Sequence, residues 1–420
     1  MVKMQAENNK NNIKTLSFGC RLNSLESDKI QKMLQPHIGA GIVVNTCAVT
    51  AEGERQSGQA VRKLARENPT LPIFVTGCAA TRNPELFSQI PNVAVISNFD
   101  KMNLDVYLSA LSGLGCVVSS GAVPKLRTAD SKLSKQFVQI QNGCNHHCAY
   151  CITRVLRGPS VSFEYATILS DVKSAVKNGF YEIVLTGIDI ASYVRNDDGK
   201  LFLLSDLCRR LLNDVPEIRR LRLSSVDPAV PDIKNIIDLI LAEPRMMPHL
   251  HFSMQSGSDT ILRSMGRRHN AEMVRTLVAQ GRGKITFSWD IICGFPGETP
   301  ELFEETVALI RETTPIKIHA FPFSPRPGTP AADMPAQVLR SESKRRVKII
   351  NELANENRRK FMAAQIGKTV QSLVQENNTA RCPHDLDIKI IGDRIAPRTI
   401  CDIKITDIHD EYFVGNVVNC

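Results

Sequence analysis

The sequence predicts an α/β protein in three parts: an amino-terminal doubly wound parallel domain, a central partial (β/α)6 barrel, and a small carboxy-terminal antiparallel β-barrel. Three observations carry that prediction. Short apolar runs alternate with amphipathic helical patterns through the first hundred residues, a second series of six such units follows, and after Gly367 the pattern turns to short alternating strands. The expected boundaries are 12–120, 130–362 and 363–420.

In the first part "IKTLSF" reads as a strand, followed by "ESDKIQKMLQ", a helix with Ile30, Met33 and Leu34 on one face. "GIVVN" is a second buried strand, "VTAEGERQSGQAVRKLARE" a long helix, and "LPIFVT" a third strand. Glycine is unfavourable inside a helix by about 1 kcal/mol relative to alanine, which makes Gly53 and Gly58 exceptions within that long helix. The polar "KLRTADSKLSK" reads as a linker. The six strands of the second series are "QFVQI", "YEIVLT", "RRLRLSS", "HLHFSM", "ITFSWDIIC" and "IKIHAF", too few to close an eight-fold barrel. From Leu339 to Lys360 runs a helix with eight Lys or Arg against three Glu. Beyond it, "KTVQSLVQ", "LDIKII", "CDIKIT" and "YFVGNVV" read as the strands of the small barrel.

Composition narrows the class. A chain of 420 residues, 43% hydrophobic and 23% charged, has ample core for a soluble globular protein. No run approaches the ~18–20 apolar residues of a membrane span, and "MVKMQAENNKNN" lacks the apolar stretch of a signal peptide. A cytoplasmic protein is expected, with no membrane partner. In that compartment twelve cysteines argue for metal ligands and buried thiols over a disulfide framework. A net charge of +9 is compatible with a nucleic-acid partner.

The cysteines fall into two sets. Cys20, Cys47 and Cys78 each follow a predicted strand, so three consecutive parallel strands deliver one thiol apiece to the carboxyl edge, where α/β sheets bind ligands. Cys144, Cys148 and Cys151 lie in one loop after the first barrel strand, spaced Cys-x3-Cys-x2-Cys. That spacing admits a zinc site completed by His146 or His147. It equally admits a 4Fe–4S cluster, which takes four ligands and here would keep one iron open for a substrate or cofactor. Cys116, Cys208, Cys293, Cys382, Cys401 and Cys420 share no spacing and read as buried or incidental thiols.

With Tyr150 before its last cysteine, the second set resembles the radical S-adenosylmethionine (SAM) superfamily. The likeness runs along nearly the whole chain. "SFGCRLNSLES", "VVNTCAVTAEGERQS" and "VTGCAA" resemble the amino-terminal domain of the methylthiotransferases. "IQNGCNHHCAYC", "LRGPS", "LTGIDIASY", "LRLSSVDP", "MQSGSDTILRSMGRRH", "DIICGFPGET" and "FPFSPRPGTPAA" follow their central domain in order, and the final barrel is similar to their nucleic-acid-binding TRAM domain. Val161 stands where the family usually has a basic residue, and Thr153 and Arg154 replace its usual Ile-Pro.

The resemblance implies two 4Fe–4S clusters and SAM as cofactors. Cys144, Cys148 and Cys151 would hold the cluster that binds and reductively cleaves SAM, with Tyr150 against its adenine and Thr186 and Gly187 meeting its amino group. Cys20, Cys47 and Cys78 would hold the cluster that carries the sulfur. Among subgroups, "VLTGIDIASY" and "RLSSVDP" most resemble the enzymes that add a methylthio group to carbon 2 of N6-threonylcarbamoyladenosine beside the tRNA anticodon. Partners so implied are tRNA and an electron donor such as a flavodoxin or ferredoxin. Arg326 in "FPFSPRPGT" is the candidate for the substrate carboxylate, because a guanidinium can engage it through two parallel hydrogen bonds. Competing readings are a sister enzyme acting on isopentenyladenosine in tRNA or on a ribosomal protein aspartate, and a non-catalytic zinc-bearing RNA-binding protein.

Overall fold

The computed structural model describes residues 13–48, 50–113, 116–117, 134–197, 199–281 and 283–420. The expected tail at the amino terminus lies outside the described residues, as do nearly all of the polar linker and the side chain of Cys116. Two units separate: Met1–Ala129 with Ile152–Pro159, and Asp130–Cys151 with Ser160–Cys420.

In the first unit five parallel strands pair in chain order: β1 (Ile13–Ser17), β2 (Gly41–Thr46), β3 (Ile73–Gly77), β4 (Val93–Ile96) and β5 (Cys116–Val117). Every residue of β2 is buried, as a parallel strand covered on both faces requires. Neighbouring residues serve opposite cores. Val43 packs with Ile30 and Leu34 of helix α1 (Arg21–Leu34) and Tyr107 of a later helix, while Val44 packs with Val61 and Ala65 of α2 (Ala51–Glu67). Helices thus cover both faces, the doubly wound arrangement. Thr50 caps α2 by accepting the Gly53 N–H at 3.1 Å. The short helices α3 (Cys78–Arg82) and α4 (Glu85–Ser88) and the strand β4 were not legible in the sequence.

Residues 152–159, expected inside the central domain, belong to this first unit. The reason is a buried ionic tie. Helix α5 (Leu104–Gly113) is followed in the chain by α6 (Thr153–Arg157), and Arg157 reaches back to Glu26 on α1, Nη1 to Oε1 at 2.5 Å, and to Asn23 Oδ1 at 2.6 Å.

The second unit contains six parallel barrel strands: β6 (Gln136–Gln139), β7 (Glu182–Thr186), β8 (Arg220–Leu223), β9 (His249–Gln255), β10 (Thr286–Cys293) and β11 (Lys317–Pro322). They pair in two groups of three, joined by single bridges at Leu221–Met246 and Val226–Phe252. The open six-strand array is the one expected. Along β9, Leu250, Phe252 and Met254 enter the outer apolar core, while the alternate positions are polar.

The basic helix runs from Arg340 to Ala363, and its Arg346 is buried against Glu298 at 2.7 Å. The last five strands, from Thr369 to Asn419, close into a barrel. Its pairs are antiparallel except for one parallel pair, Asp387–Ile391 with Tyr412–Asn419. This barrel seals the base of the larger one. Arg220 and Arg222 both bond Glu182, at 2.6 and 3.1 Å, and donate onward to the carbonyls of Gln371 (2.9 Å) and Pro383 (3.1 Å).

Cys401 and Cys420, expected as separate reduced thiols, are instead joined in a disulfide. The strand pairing places Asp402 opposite Asn419, so the two cysteines meet one position further along an antiparallel ladder. No described helix is long and apolar enough to cross a membrane.

Candidate active site

The loop carrying Cys144, Cys148 and Cys151 begins where β6 gives way to Gln141 and Asn142. Gln141 organises it. Its amide nitrogen donates to the Gly143 carbonyl at 2.7 Å and to Ser160 Oγ at 2.9 Å. Its amide oxygen accepts the N–H groups of Ile188 (3.1 Å) and Asp189 (2.8 Å), which tie the loop to the end of β7. Gly187 stands at that junction, where a Cβ would lie 2.6 Å from the Gln141 carbonyl oxygen. The close approach expected at Gly187 is therefore made by the chain's own backbone. Thr186 is buried, and its carbonyl accepts the Ile140 N–H at 2.9 Å.

Further along, Ala149 is pinned from both sides, donating to the Met265 carbonyl and accepting from Ala331, each at 2.9 Å. The three thiols are free of disulfides, Cys144 and Cys148 half-buried and Cys151 exposed. Donors aim at the sulfurs: the His146 N–H lies 3.4 Å from Cys144 Sγ, and Arg267 Nη1 lies 3.6 Å from Cys148 Sγ. Burial pushes the Cys144 thiol up to about 11, so a metal must displace its proton. Tyr150 stacks edge-on to Phe295 with ring centres 6.5 Å apart, and burial raises its phenol.

The donor set distinguishes a cluster from a single ion. A zinc ion with Zn–S bonds near 2.3 Å would draw its thiolates to within roughly 4 Å of one another. Among the described residues the metal-competent groups gathered within 4.8 Å are Cys144–His146–Asp189 and His251–Asp290–His319, neither with two thiols. His146 Nε2 is engaged by Asp189 Oδ2 at 2.8 Å. Three thiols spread around one loop, Cys144 and Cys148 approached by donors, fit a larger polynuclear group better than a zinc shell.

The first triplet lies wholly in the first unit. Cys20 caps α1, Cys47 follows β2 and Cys78 opens α3. The register pairs Ser17 with Asn45 and Thr46 with Gly77, which brings the three strand ends level. Gly19, at φ +84°, comes so near that a Cβ would sit 2.5 Å from Cys47 Sγ, a conformation and a proximity that exclude other residues. Asn98 Nδ2 lies 3.6 Å from Cys78 Sγ.

Behind these thiols Glu26 binds both Arg157 and Lys101, and Lys101 Nζ also reaches Asn98 Oδ1 at 2.8 Å. Burial alone would lower Arg157, but Glu26, then Cys78 and Cys20, more than reverse it. Burial and the neighbouring Arg157 lower the Lys101 amine, so the charge held firmly beside these sulfurs, which bind metal as thiolates, is that of Arg157.

Sequence reasoning missed Arg157, Lys101 and Arg267, whose partners are distant in the chain; "LRGPS" and "GRRH" were the visible signals. Arg326 is buried, and its carbonyl accepts the Thr329 N–H at 3.0 Å and hydroxyl at 2.7 Å, closing the turn after β11.

Residues 138–310 match the Radical SAM superfamily, and residues 12–97 match the Uncharacterized protein family UPF0004. The threonylcarbamoyladenosine tRNA methylthiotransferase MtaB of Rickettsia prowazekii is 39% identical over 384 residues, covering 89% of this chain and 90% of that protein. The protein of the same name from Chlamydia pneumoniae is 31% identical across 97% of this chain and 99% of its own. In fold, the chain is similar to the radical SAM methyltransferase TsrM of Kitasatospora setae, with a TM-score of 0.56 at 14% identity, covering 77% of this chain and 74% of that one.

Proposed function

Since the chain belongs to the MtaB family of radical SAM methylthiotransferases, we propose that it adds a methylthio group to carbon 2 of N6-threonylcarbamoyladenosine in tRNA. The observation that carries the reading is the pair of cysteine triplets, each at the carboxyl ends of parallel strands and each with polar donors aimed at sulfur.

In this reading Cys144, Cys148 and Cys151 hold one 4Fe–4S cluster and Cys20, Cys47 and Cys78 the second. When bound, the clusters and SAM supply the one-electron chemistry and the sulfur; the protein binds, orients and shields them. Gln141 and Ala149 fix the loop that presents the thiols. Arg267 sets positive charge against Cys148 and is itself anchored by Asp227 at 3.3 Å. Tyr150 contributes an aromatic face for the adenine of SAM, and Thr186 and Gly187 a backbone edge for its amino group. Arg157 holds positive charge behind the first triplet. Arg326 bonds the substrate carboxylate.

The terminal barrel and exposed cations of the basic helix contact tRNA phosphates, a salt-sensitive interaction. Several of those cations carry surface partners, such as Lys360 with Glu356 at 2.6 Å and Arg359 with Asp410 at 3.0 Å; such pairs are weak enough to exchange for phosphate. The protein works in the cytoplasm and draws electrons from a flavodoxin or ferredoxin.

Nucleoside analysis of tRNA from cells with and without the protein tests the reaction: the 2-methylthio form of threonylcarbamoyladenosine should vanish in its absence. Its persistence, with loss of methylthiolated isopentenyladenosine, would reassign the substrate. For the two triplets, Cys148→Ala should abolish reductive SAM cleavage, whereas Cys47→Ala should keep cleavage and lose sulfur insertion. Normal insertion by Cys47→Ala would remove the first triplet from the reaction.

A further inference from the structure

A second polar cluster lies on the inner wall of the open barrel. His251 on β9, Asp290 on β10 and His319 on β11 stand on adjacent parallel strands, Asp290 directly across from His319 and His251 across from Ser288. A single Asp290 oxygen, Oδ1, lies 3.1 Å from His251 Nε2 and 3.2 Å from His319 Nδ1. His251 is held from behind by Ser288 Oγ, 2.7 Å from its Nδ1. Ser288 Oγ lies 3.0 Å from His249 Nε2, whose Nδ1 lies 2.9 Å from Thr286 Oγ1. The chain of contacts can be satisfied in one direction throughout, each donor meeting an acceptor. Burial would raise Asp290, but hydrogen bonds from both imidazoles outweigh it and hold the carboxyl well below its usual range.

Exposure rises steadily across the set, from 15% for His251 through 26% for Asp290 to 43% for His319. The wall is anchored at its base and open at His319. The alternate residues Phe252, Trp289, Ile291 and Ile318 fill the outer core, so the polar set faces the interior by register.

Such a wall suits some purine substituents and not others. An isopentenyl group pressed against an ionised carboxylate and two imidazoles would strip their hydration and return no hydrogen bond. A threonylcarbamoyl group brings a carbonyl, an N–H, a hydroxyl and a carboxylate. Resting on the function proposed above, the geometry points to His319 as the residue that reads this substituent, through the ring nitrogen not turned to Asp290. Asp290 and His251 are positioning residues: they fix the ring's rotamer and tautomer. Arg326 and His319 then divide the substituent, the arginine taking the carboxylate and the imidazole the carbamoyl or hydroxyl group.

The test compares the cluster-loaded enzyme and its His319→Phe, His319→Gln and Asp290→Asn variants on two probes: tRNA carrying threonylcarbamoyladenosine and the same tRNA without that group. The measured quantity is the ratio of the two dissociation constants, with KM and kcat alongside. The wild type should favour the modified tRNA by about tenfold or more, the scale of one charge-assisted hydrogen bond. In His319→Phe the ratio should fall severalfold without reaching one, because Arg326 still holds the carboxylate, and KM should rise more than kcat falls; His319→Gln, whose amide reaches the Nε2 position, should restore part of the ratio, and Asp290→Asn should reduce it with His319 intact. Because Asp290→Asn is nearly isosteric and His319→Gln keeps a polar side chain of similar reach, a folding failure of His319→Phe leaves the test standing. If the wild type converts threonylcarbamoylated tRNA and every variant keeps its ratio, the His319 reading is overturned and the function stands. If the wild type does not convert that tRNA, the function falls and this reading with it. A stoichiometric metal beyond cluster iron, lost in His319→Phe, would make the three side chains ligands and also overturn the reading.

Discussion

Replacing Arg157 with Met should loosen the first unit at one identifiable place. The guanidinium is 3% exposed, and it bonds Glu26 at 2.5 Å and Asn23 at 2.6 Å. Removing one member of a buried ionic network leaves its partner desolvated and incompletely paired, which destabilises by about 3–5 kcal/mol. Lys101 remains on Glu26, so the lower end, about 3 kcal/mol, is expected. That is roughly a 150-fold change in an opening equilibrium. Amide hydrogen exchange reads it directly, because local opening of α1 and α6 governs exchange in residues 21–34 and 153–157. Protection there should drop by about two orders of magnitude, while β9 and β10 keep theirs. Arg157→Lys retains the charge without the planar fork and should fall between. A change of less than threefold in α1 for Arg157→Met would refute the claim that this tie holds the segment in the first unit.

Glu182 should give the second unit an acid-sensitive component. Burial would raise its carboxyl, but Arg220 and Arg222 more than offset that and lower it to about 2 from 4.5. Its stabilising contribution is therefore full above pH about 4.5 and disappears as pH falls toward about 2, so the difference in urea midpoint between wild type and Glu182→Gln should shrink across that window. A pH-independent difference would contradict it. Gly187→Ala forces a methyl to 2.6 Å from the Gln141 carbonyl, and the overpacking should cost about 1–3 kcal/mol and lower the iron retained after anaerobic desalting. Unchanged iron content would separate Gly187 from the cysteine loop. Arg326→Lys should impair turnover on threonylcarbamoylated tRNA more than on unmodified tRNA; an equal loss on both would reduce Arg326 to closing its turn.

The parts of this molecule that were readable in advance are those whose cause is local. Runs such as "GIVVN" and "LPIFVT" are strands because β-branched residues buried on both faces leave little alternative. The two cysteine triplets were readable because strand ends and loop spacing are properties of short segments. "VAVI", by contrast, is too short to separate from a loop, and α3 is one turn following a strand. Arg157 and Glu26 are 131 positions apart, and nothing near either announces the other. Cys401 and Cys420 pair through a strand register that no composition encodes. The His251, Asp290 and His319 cluster is of the same kind: each residue looks ordinary in its own strand, and only the lateral alignment of three strands assembles it.

The seal between the two barrels bears on how the protein emerges from the ribosome. Arg222 on β8 waits for the Pro383 carbonyl 161 residues downstream, and Arg220 for Gln371 across 151. At a synthesis rate of about 5–20 residues per second, that separation is a delay of roughly 8–30 s. Throughout it, the two guanidiniums and Glu182 at the base of the nascent barrel keep their water, because the carbonyls that replace it have not been made. The base of the larger barrel can shed that water only once residues 371–383 have been made.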